Sequence, residues 1–284
     1  MRILVMGAKG MLGTDMLRDW KSDEIIAADS TEADIREPQQ VTKLVASAKP
    51  DWIVLTAAYT DVDGSEKNQD LAFAVNATGA ENVARAATES GARLFYISTD
   101  YVFDGNSTRP YEPDDPIHPL NVYGASKAAG ESAVRQFAKG WCIGRTSWLF
   151  GAHGPSFPEK ILRASETRPE LTVVSDQVGS PTFTRDLAHA ILQLIYSGAE
   201  GTFHITNSGT CSWFEFAREV LNQAGRSSVP VKAVSSSEFL RPARRPNYSI
   251  LSSSSLNRSG ITMRNWKDAV TVYLQDLREA GKLS

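Results

Sequence analysis

Cysteine is nearly absent from this chain: two in 284 residues, Cys142 and Cys211. They stand far apart in apolar or mixed surroundings, which excludes a disulfide framework and a cysteine-built metal site. Charge of one sign is also missing. With 30 Lys and Arg against 33 Asp and Glu, the formal net charge is -3, so there is no basic field to hold nucleic acid by its phosphates. No apolar run approaches the roughly 18 to 20 residues a membrane helix needs. The opening "RILVMG" has neither the long apolar region nor the cleavage site of a signal peptide. A cytoplasmic protein without nucleic-acid or membrane partners is expected.

What is present is an ordinary globular composition, 42% hydrophobic and 22% charged, in a chain long enough to bury a substantial core. Strand-length apolar runs alternate with helix-length patterned segments: "RILVM", "GMLGTDMLRDW", "EIIAA", "VTKLVASA", "WIVLT", "LAFAVNATGAENVARAATES", "RLFYIS". The runs are apolar throughout, as strands covered on both faces are. The fold class is therefore α/β, a Rossmann-like, doubly wound parallel sheet, followed by a smaller C-terminal substrate-binding domain. "WCIGRT" and "LTVVS" read as further strands and "TRDLAHAILQLIYSG" as a further helix. The division predicted is 1–150 for the dinucleotide domain, with 170–198 returning to it, and 151–169 plus 199–284 mainly for the substrate. The last third carries more Ser and Pro and a cluster, "RPARRPNYS", that cannot be regular structure.

Immediately after the first run come Gly7, Gly10 and Gly13, a GxxGxxG spacing enclosing Met11 and Leu12. Glycines at a strand-to-helix turn permit positive φ and close approach of the backbone to a pyrophosphate at a helix N-terminus. Asp29 ends the second run. It stands where a carboxylate accepts bonds from an adenosine ribose, which would leave NADH usable, or it simply starts a turn. Asp34 and Ile35, in "EADI", would flank the adenine.

Thr99 closes "RLFYIST", and Tyr123 is followed four residues later by Lys127. On a helix that spacing puts both side chains on one face. A phenol titrates near 10, and a neighbouring ammonium lowers the cost of its phenolate. Thr99 sits where parallel sheets bind ligands and would hydrogen-bond a carbonyl. Together these residues predict a reductase that delivers a proton from Tyr123.

The motifs "GAKGMLG", "AAYTDVD", "NATGAENVA", "ISTDYVFDG", "PLNVYGASKAAGE", "RTSWLFG", "DQVGSPT" and "RPARRPNYSIL" resemble, nearly end to end, the dTDP-4-dehydrorhamnose reductases of the extended short-chain dehydrogenase/reductase superfamily. The resemblance implies reduction of dTDP-4-dehydro-6-deoxy-L-mannose to dTDP-L-rhamnose, for cell-surface polysaccharide, with NADPH or NADH. It implies Thr99, Tyr123 and Lys127 as the catalytic trio and Asn76 as a support of the lysine. Ala57, Ala58 and Tyr59 would line the nicotinamide side, and Thr60 and Val62 would lie near the sugar nucleotide. Asp100 and Tyr101 would shape the sugar pocket, Trp148 would pack on the hexose, and Gln177 and Gly179 would approach the nucleotide. Arg241 and Arg245 would hold the diphosphate through bidentate bonds, or belong to a solvated loop. Asp15 stands where relatives have a Glu that in some members joins a Mg2+ site between subunits; no metal ligand is assigned, Mg2+ stays an option, and a monomer or homodimer is expected. Ser156 precedes Phe157 where relatives commonly read "NF". A 4,6-dehydratase would need a Glu after Asp100, where this chain has Tyr101. A reductase of another nucleotide 4-keto-6-deoxy sugar, and a non-catalytic dinucleotide-binding regulatory subunit such as that of methionine adenosyltransferase, remain as alternatives.

Overall fold

The computed structural model describes residues 1–283. Six strands make the central sheet: β1 (Arg2–Met6), β2 (Glu24–Ala28), β3 (Trp52–Leu55), β4 (Arg93–Thr99), β5 (Trp141–Thr146) and β6 (Gly201–His204). Their order is β6-β5-β4-β3-β1-β2, and every pairing is parallel. The longer helices are α1 (Met11–Asp19), α2 (Pro38–Ala48), α3 (Gly79–Ser90), α4 (Val122–Phe137), α5 (Phe157–Thr167), α6 (Thr184–Tyr196), α7 (Trp213–Gln223) and α8 (Trp266–Glu279).

The apolar runs are apolar on both faces because both faces are covered. Ile3, Val5, Val54 and Phe95 face Met16 of α1 and Leu187 and Ile191 of α6. Leu4, Met6, Ile53 and Tyr96 face Val41, Val45, Val83 and Val134 of α2, α3 and α4. Each such side chain contributes roughly 1.5–3 kcal/mol by leaving water. From β1 the chain runs outward to β2 and then returns to β3 on the other side of β1. That reversal opens a crevice beyond the carboxyl ends of β1 and β3, where open parallel sheets bind ligands.

A third core, built on Phe150, Phe183, Phe216 and Tyr273, holds α5, α7 and α8 together over a two-stranded parallel ribbon, Leu171–Val174 with Val231–Val234. Here two expectations are corrected. The run "LTVVS", read as returning to the large sheet, belongs to this ribbon; its burial alternates, with Thr172 exposed, as in a strand covered on one face only. "GTFH", read as the start of the second domain, is instead the sixth strand of the large sheet, paired with β5. Only α6 of the 170–198 segment packs on the large sheet's core. Among the described residues, no helix is long and apolar enough to cross a membrane.

Candidate active site

At the end of β1 the backbone turns through Gly7 at φ +97°, where a Cβ would sit 2.5 Å from the Ala57 nitrogen. A Cβ on Gly13 would meet the Gly7 oxygen at 2.4 Å, so α1 can press on the turn only without one. Gly10 caps α1, and its missing side chain leaves the amide end of the helix open. This cradle fits a pyrophosphate. It floors a cavity of about 1060 Å³ that Met11, Leu12, Ala57 and Ala58 also line. Asp29 lies at the rim, its carboxylate accepting from the Lys9 and Ser30 amides at 2.9 and 2.8 Å. Burial opposes its ionisation, yet those amides hold its pKa below the ordinary value. Asp34, ion-paired to Arg36, and Ile35 complete that rim.

Across the cavity, α4 starts on Asn121, whose side chain accepts from the Gly124 amide at 2.8 Å and donates to the Arg244 carbonyl at 2.7 Å. The helix lies so close to the turn Asp100–Val102 that a Cβ on Gly124 would meet the Tyr101 oxygen at 2.1 Å. One turn beyond Lys127, Glu131 is fully buried; it accepts two bonds of 2.8 Å from Arg145 of β5 and one of 2.6 Å from Ser98 of β4. Helix and sheet are thereby locked in register, and Tyr123 and Lys127 both face the cavity with Thr99.

The Lys127 ammonium lies 4.0 Å over the Tyr96 ring, and the Tyr96 hydroxyl donates to the Asn76 carbonyl at 3.1 Å. Asn76 sits in a π-helical turn, Ala74–Thr78, a distortion frequent at functional sites. Its side chain bonds the Tyr59 backbone at 2.8 and 3.0 Å and Ser126 at 2.9 Å. Neither Asn76 nor Tyr59 lines the cavity; they brace the wall behind it.

Burial pushes the Lys127 amine down to about 7, with Glu131 opposing. Burial also pushes the Tyr123 phenol up to about 12, with the Thr99 hydroxyl opposing and Asp100 adding to the rise. The sequence predicts a phenol lowered by Lys127. Here desolvation sets the direction instead, and Tyr123 keeps its proton at neutral pH.

Thr60, Val62, Asp100, Tyr101 and Trp148 line the other end of the cavity. Trp148 holds φ +48°, uncommon for a bulky residue, and stacks on Trp213 at 3.5 Å between ring centroids. Its ring covers Gly179. Gln177 is buried beside the short strand Val178–Gly179, off the cavity wall. Arg241 and Arg245 also stand off it: both guanidiniums grip Asp63, Arg245 with two bonds of 2.9 Å and Arg241 at 3.3 Å. The Asp63 carboxyl is held down to about 2, chiefly by Arg245. Arg241, about half exposed, is the freer of the two for a diphosphate.

Asp15 is buried against α6, bonded by Thr184 and paired with Arg18 at 3.3 Å, and burial pushes its carboxyl above the ordinary value. Among the described residues, no three His, Cys, Asp or Glu gather as metal ligands. Ser156 is the N-cap of α5. Sequence reasoning missed Trp213 and Asp63, which lie far along the chain from what they touch; only the aromatic and charged residue types hinted at them. It also missed Thr146, Ser147 and His153 of the cavity wall.

The profile of the family described as "RmlD substrate binding domain" matches residues 1–279. The spore coat polysaccharide biosynthesis protein SpsK of Bacillus subtilis is 41% identical over 98% of this chain and 99% of its own. The dTDP-4-dehydrorhamnose reductase of Mycobacterium tuberculosis strain H37Rv is 40% identical over 96% of this chain and 92% of its own. The crystal structure of dTDP-4-dehydrorhamnose reductase from Bacillus anthracis in complex with NADP superposes with a TM-score of 0.94, at 40% identity, over 97% of this chain and 99% of that one.

Proposed function

The chain belongs to the dTDP-4-dehydrorhamnose reductase family, and on that premise we propose that it reduces the C4 ketone of dTDP-4-dehydro-6-deoxy-L-mannose to dTDP-L-rhamnose. The observation that carries the reading is the meeting of Thr99, Tyr123 and Lys127 in one cavity with the glycine turn. NADPH or NADH, bound at Gly7, Gly10 and Gly13, would supply the hydride. Tyr123, protonated at neutral pH, gives its proton to the ketone oxygen as charge develops there. Positioned acid catalysis of this kind contributes about 10²- to 10⁴-fold. Thr99 orients the carbonyl, and Lys127 steadies the phenolate left behind. Trp148 and Tyr101 pack on the sugar, and Arg241 meets the diphosphate. Residues 1–150 with α6 and β6 hold the dinucleotide; α5, α7 and α8 with their ribbon carry the sugar-nucleotide side. The product would feed cell-surface polysaccharide.

The test is oxidation of NADH and NADPH, followed by absorbance, with the dTDP-4-keto sugar generated in place. Wild type should yield dTDP-L-rhamnose, and Tyr123→Phe should bind dinucleotide normally but turn over at least about a hundredfold more slowly. Near-normal turnover by Tyr123→Phe would remove it from the chemistry. Reduction of a different nucleotide 4-keto-6-deoxy sugar in preference would reassign the substrate.

A further inference from the structure

Asp100 is 1% exposed, and one of its carboxyl oxygens, Oδ2, has no hydrogen-bond partner. The other, Oδ1, accepts from the Thr99 hydroxyl at 3.0 Å. Burial penalises the charge of this carboxyl, and the Ser249 and Thr99 hydroxyls and the Asp100 and Tyr101 amides offset that penalty only in part. The donor count at Thr99 shows what the carboxyl controls. A threonine hydroxyl has one proton and two lone pairs. One lone pair takes the Tyr101 amide at 3.2 Å, and the hydroxyl also stands beside the Tyr123 phenol, whose ionised form its proton would favour. Against an ionised Asp100, the Thr99 proton is spent on Oδ1, and the phenol turns its own proton to the free Thr99 lone pair. The proton that Tyr123 transfers and the Thr99 proton that orients the carbonyl then both point into the protein.

We propose that Asp100 is a positioning residue that acts as a neutral acid: its O–H donates to Thr99, fills the second lone pair, and turns the Thr99 and Tyr123 protons together onto the substrate carbonyl. No bond is made or broken at Asp100. The proton transferred to the alkoxide remains that of Tyr123, and the hydride remains the dinucleotide's. The inference rests on the reductase reading above. Burial pushes the Asp100 carboxyl up to about 7, with Ser249 and Thr99 opposing, so the acid form is within reach at neutral pH. The titratable and charged groups around it are Tyr101 on its own turn, Tyr123 and Lys127 on α4, and Arg245 and Asp63, which act on Tyr101.

The experiment is the pH profile of kcat with saturating dinucleotide and keto sugar, from about pH 6 to 9, for wild type and Asp100→Asn. The asparagine amide is a permanent donor of the same shape, so it mimics the acid and cannot titrate. Wild type should lose kcat as pH rises. Asp100→Asn, read against its own value at low pH, should lose the alkaline fall, a pattern that bland packing at this position does not produce. An alkaline fall that survives unchanged in Asp100→Asn belongs to Lys127 and overturns the proposal. So does an Asp100→Asn enzyme that binds dinucleotide but is as slow as Tyr123→Phe. Should the variant not fold, infrared difference spectra of wild type decide: a carboxylic-acid band must disappear over the pH range in which kcat falls, and its absence sinks the idea. Wild type that reduces no nucleotide keto sugar at any pH defeats the reductase reading first, and this inference with it.

Discussion

Trp148 lies directly on Gly179: a Cβ built on that glycine would come within 2.6 Å of the indole ring. The contact fixes a tryptophan already held at φ +48° and stacked on Trp213 from behind. Gly179→Ala must therefore displace the indole, which lines the cavity. We expect KM for the sugar nucleotide to rise about tenfold while dinucleotide affinity stays unchanged, since a packing shift of this size costs on the order of 1–3 kcal/mol. Steady-state kinetics beside dinucleotide titration check it, and equal KM values would show that Trp148 does not meet the sugar.

The buried pair beneath α4 gives a stability prediction. Glu131→Ala would leave Arg145, 1% exposed, without its carboxylate. Breaking such a pair from one side typically costs about 3–5 kcal/mol. Urea unfolding should show a loss of this order, and the double replacement Glu131→Met with Arg145→Met should recover part of it. A loss below about 1 kcal/mol would mean that the pair does not anchor the helix.

Two glycines of the cradle should separate folding from binding. A Cβ on Gly13 collides with the Gly7 backbone at 2.4 Å, whereas one on Gly10 meets only the Gly7 oxygen, at 3.2 Å. Gly13→Ala is expected to destabilise the fold by about 1–3 kcal/mol. Gly10→Ala should fold with a smaller loss, under about 1 kcal/mol, the cost of an alanine at an N-cap. It should weaken dinucleotide binding at least about tenfold by filling the anion site. Thermal melts with and without dinucleotide distinguish the two.

Asp100 predicts a pH dependence of stability. Its folded pKa, about 7, lies above the unfolded value of 3.8. A raised pKa means that the folded state binds the extra proton between those values. Relative to low pH, stability from this group is thus lost as pH rises through about 7. Asp100→Asn should be more stable than wild type at pH 8, by up to about 4 kcal/mol on the scale of 1.4 kcal/mol per pKa unit. The advantage should shrink toward pH 4. Denaturant midpoints at the two pH values measure it, and an advantage of equal size at both would place its origin in packing.

The sequence by itself determined the parallel sheet and the dinucleotide turn, because both are local. Runs such as "RILVM" and "WIVLT" are apolar on two faces wherever they are buried, Gly7 answers a positive φ, and Gly13 answers a contact within a few residues. Tyr123 and Lys127 were legible for the same reason: helix geometry fixes a spacing of four. Pairing across long stretches of chain was not legible. Whether "LTVV" or "GTFH" joined the large sheet depended on which edge had a free partner, β5 offering one to Gly201–His204 and Val231–Val234 one to Leu171–Val174. Only the tertiary structure decided that Asp63 grips Arg241 and Arg245, 178 and 182 residues further along the chain. It also decided how buried the site would be. Side-chain identity gives a phenol, an amine and a carboxyl their ordinary pKa values; the depth of packing around them sets the charges that Tyr123, Lys127 and Asp100 carry at neutral pH, because desolvation depends on everything nearby and on nothing in the local sequence.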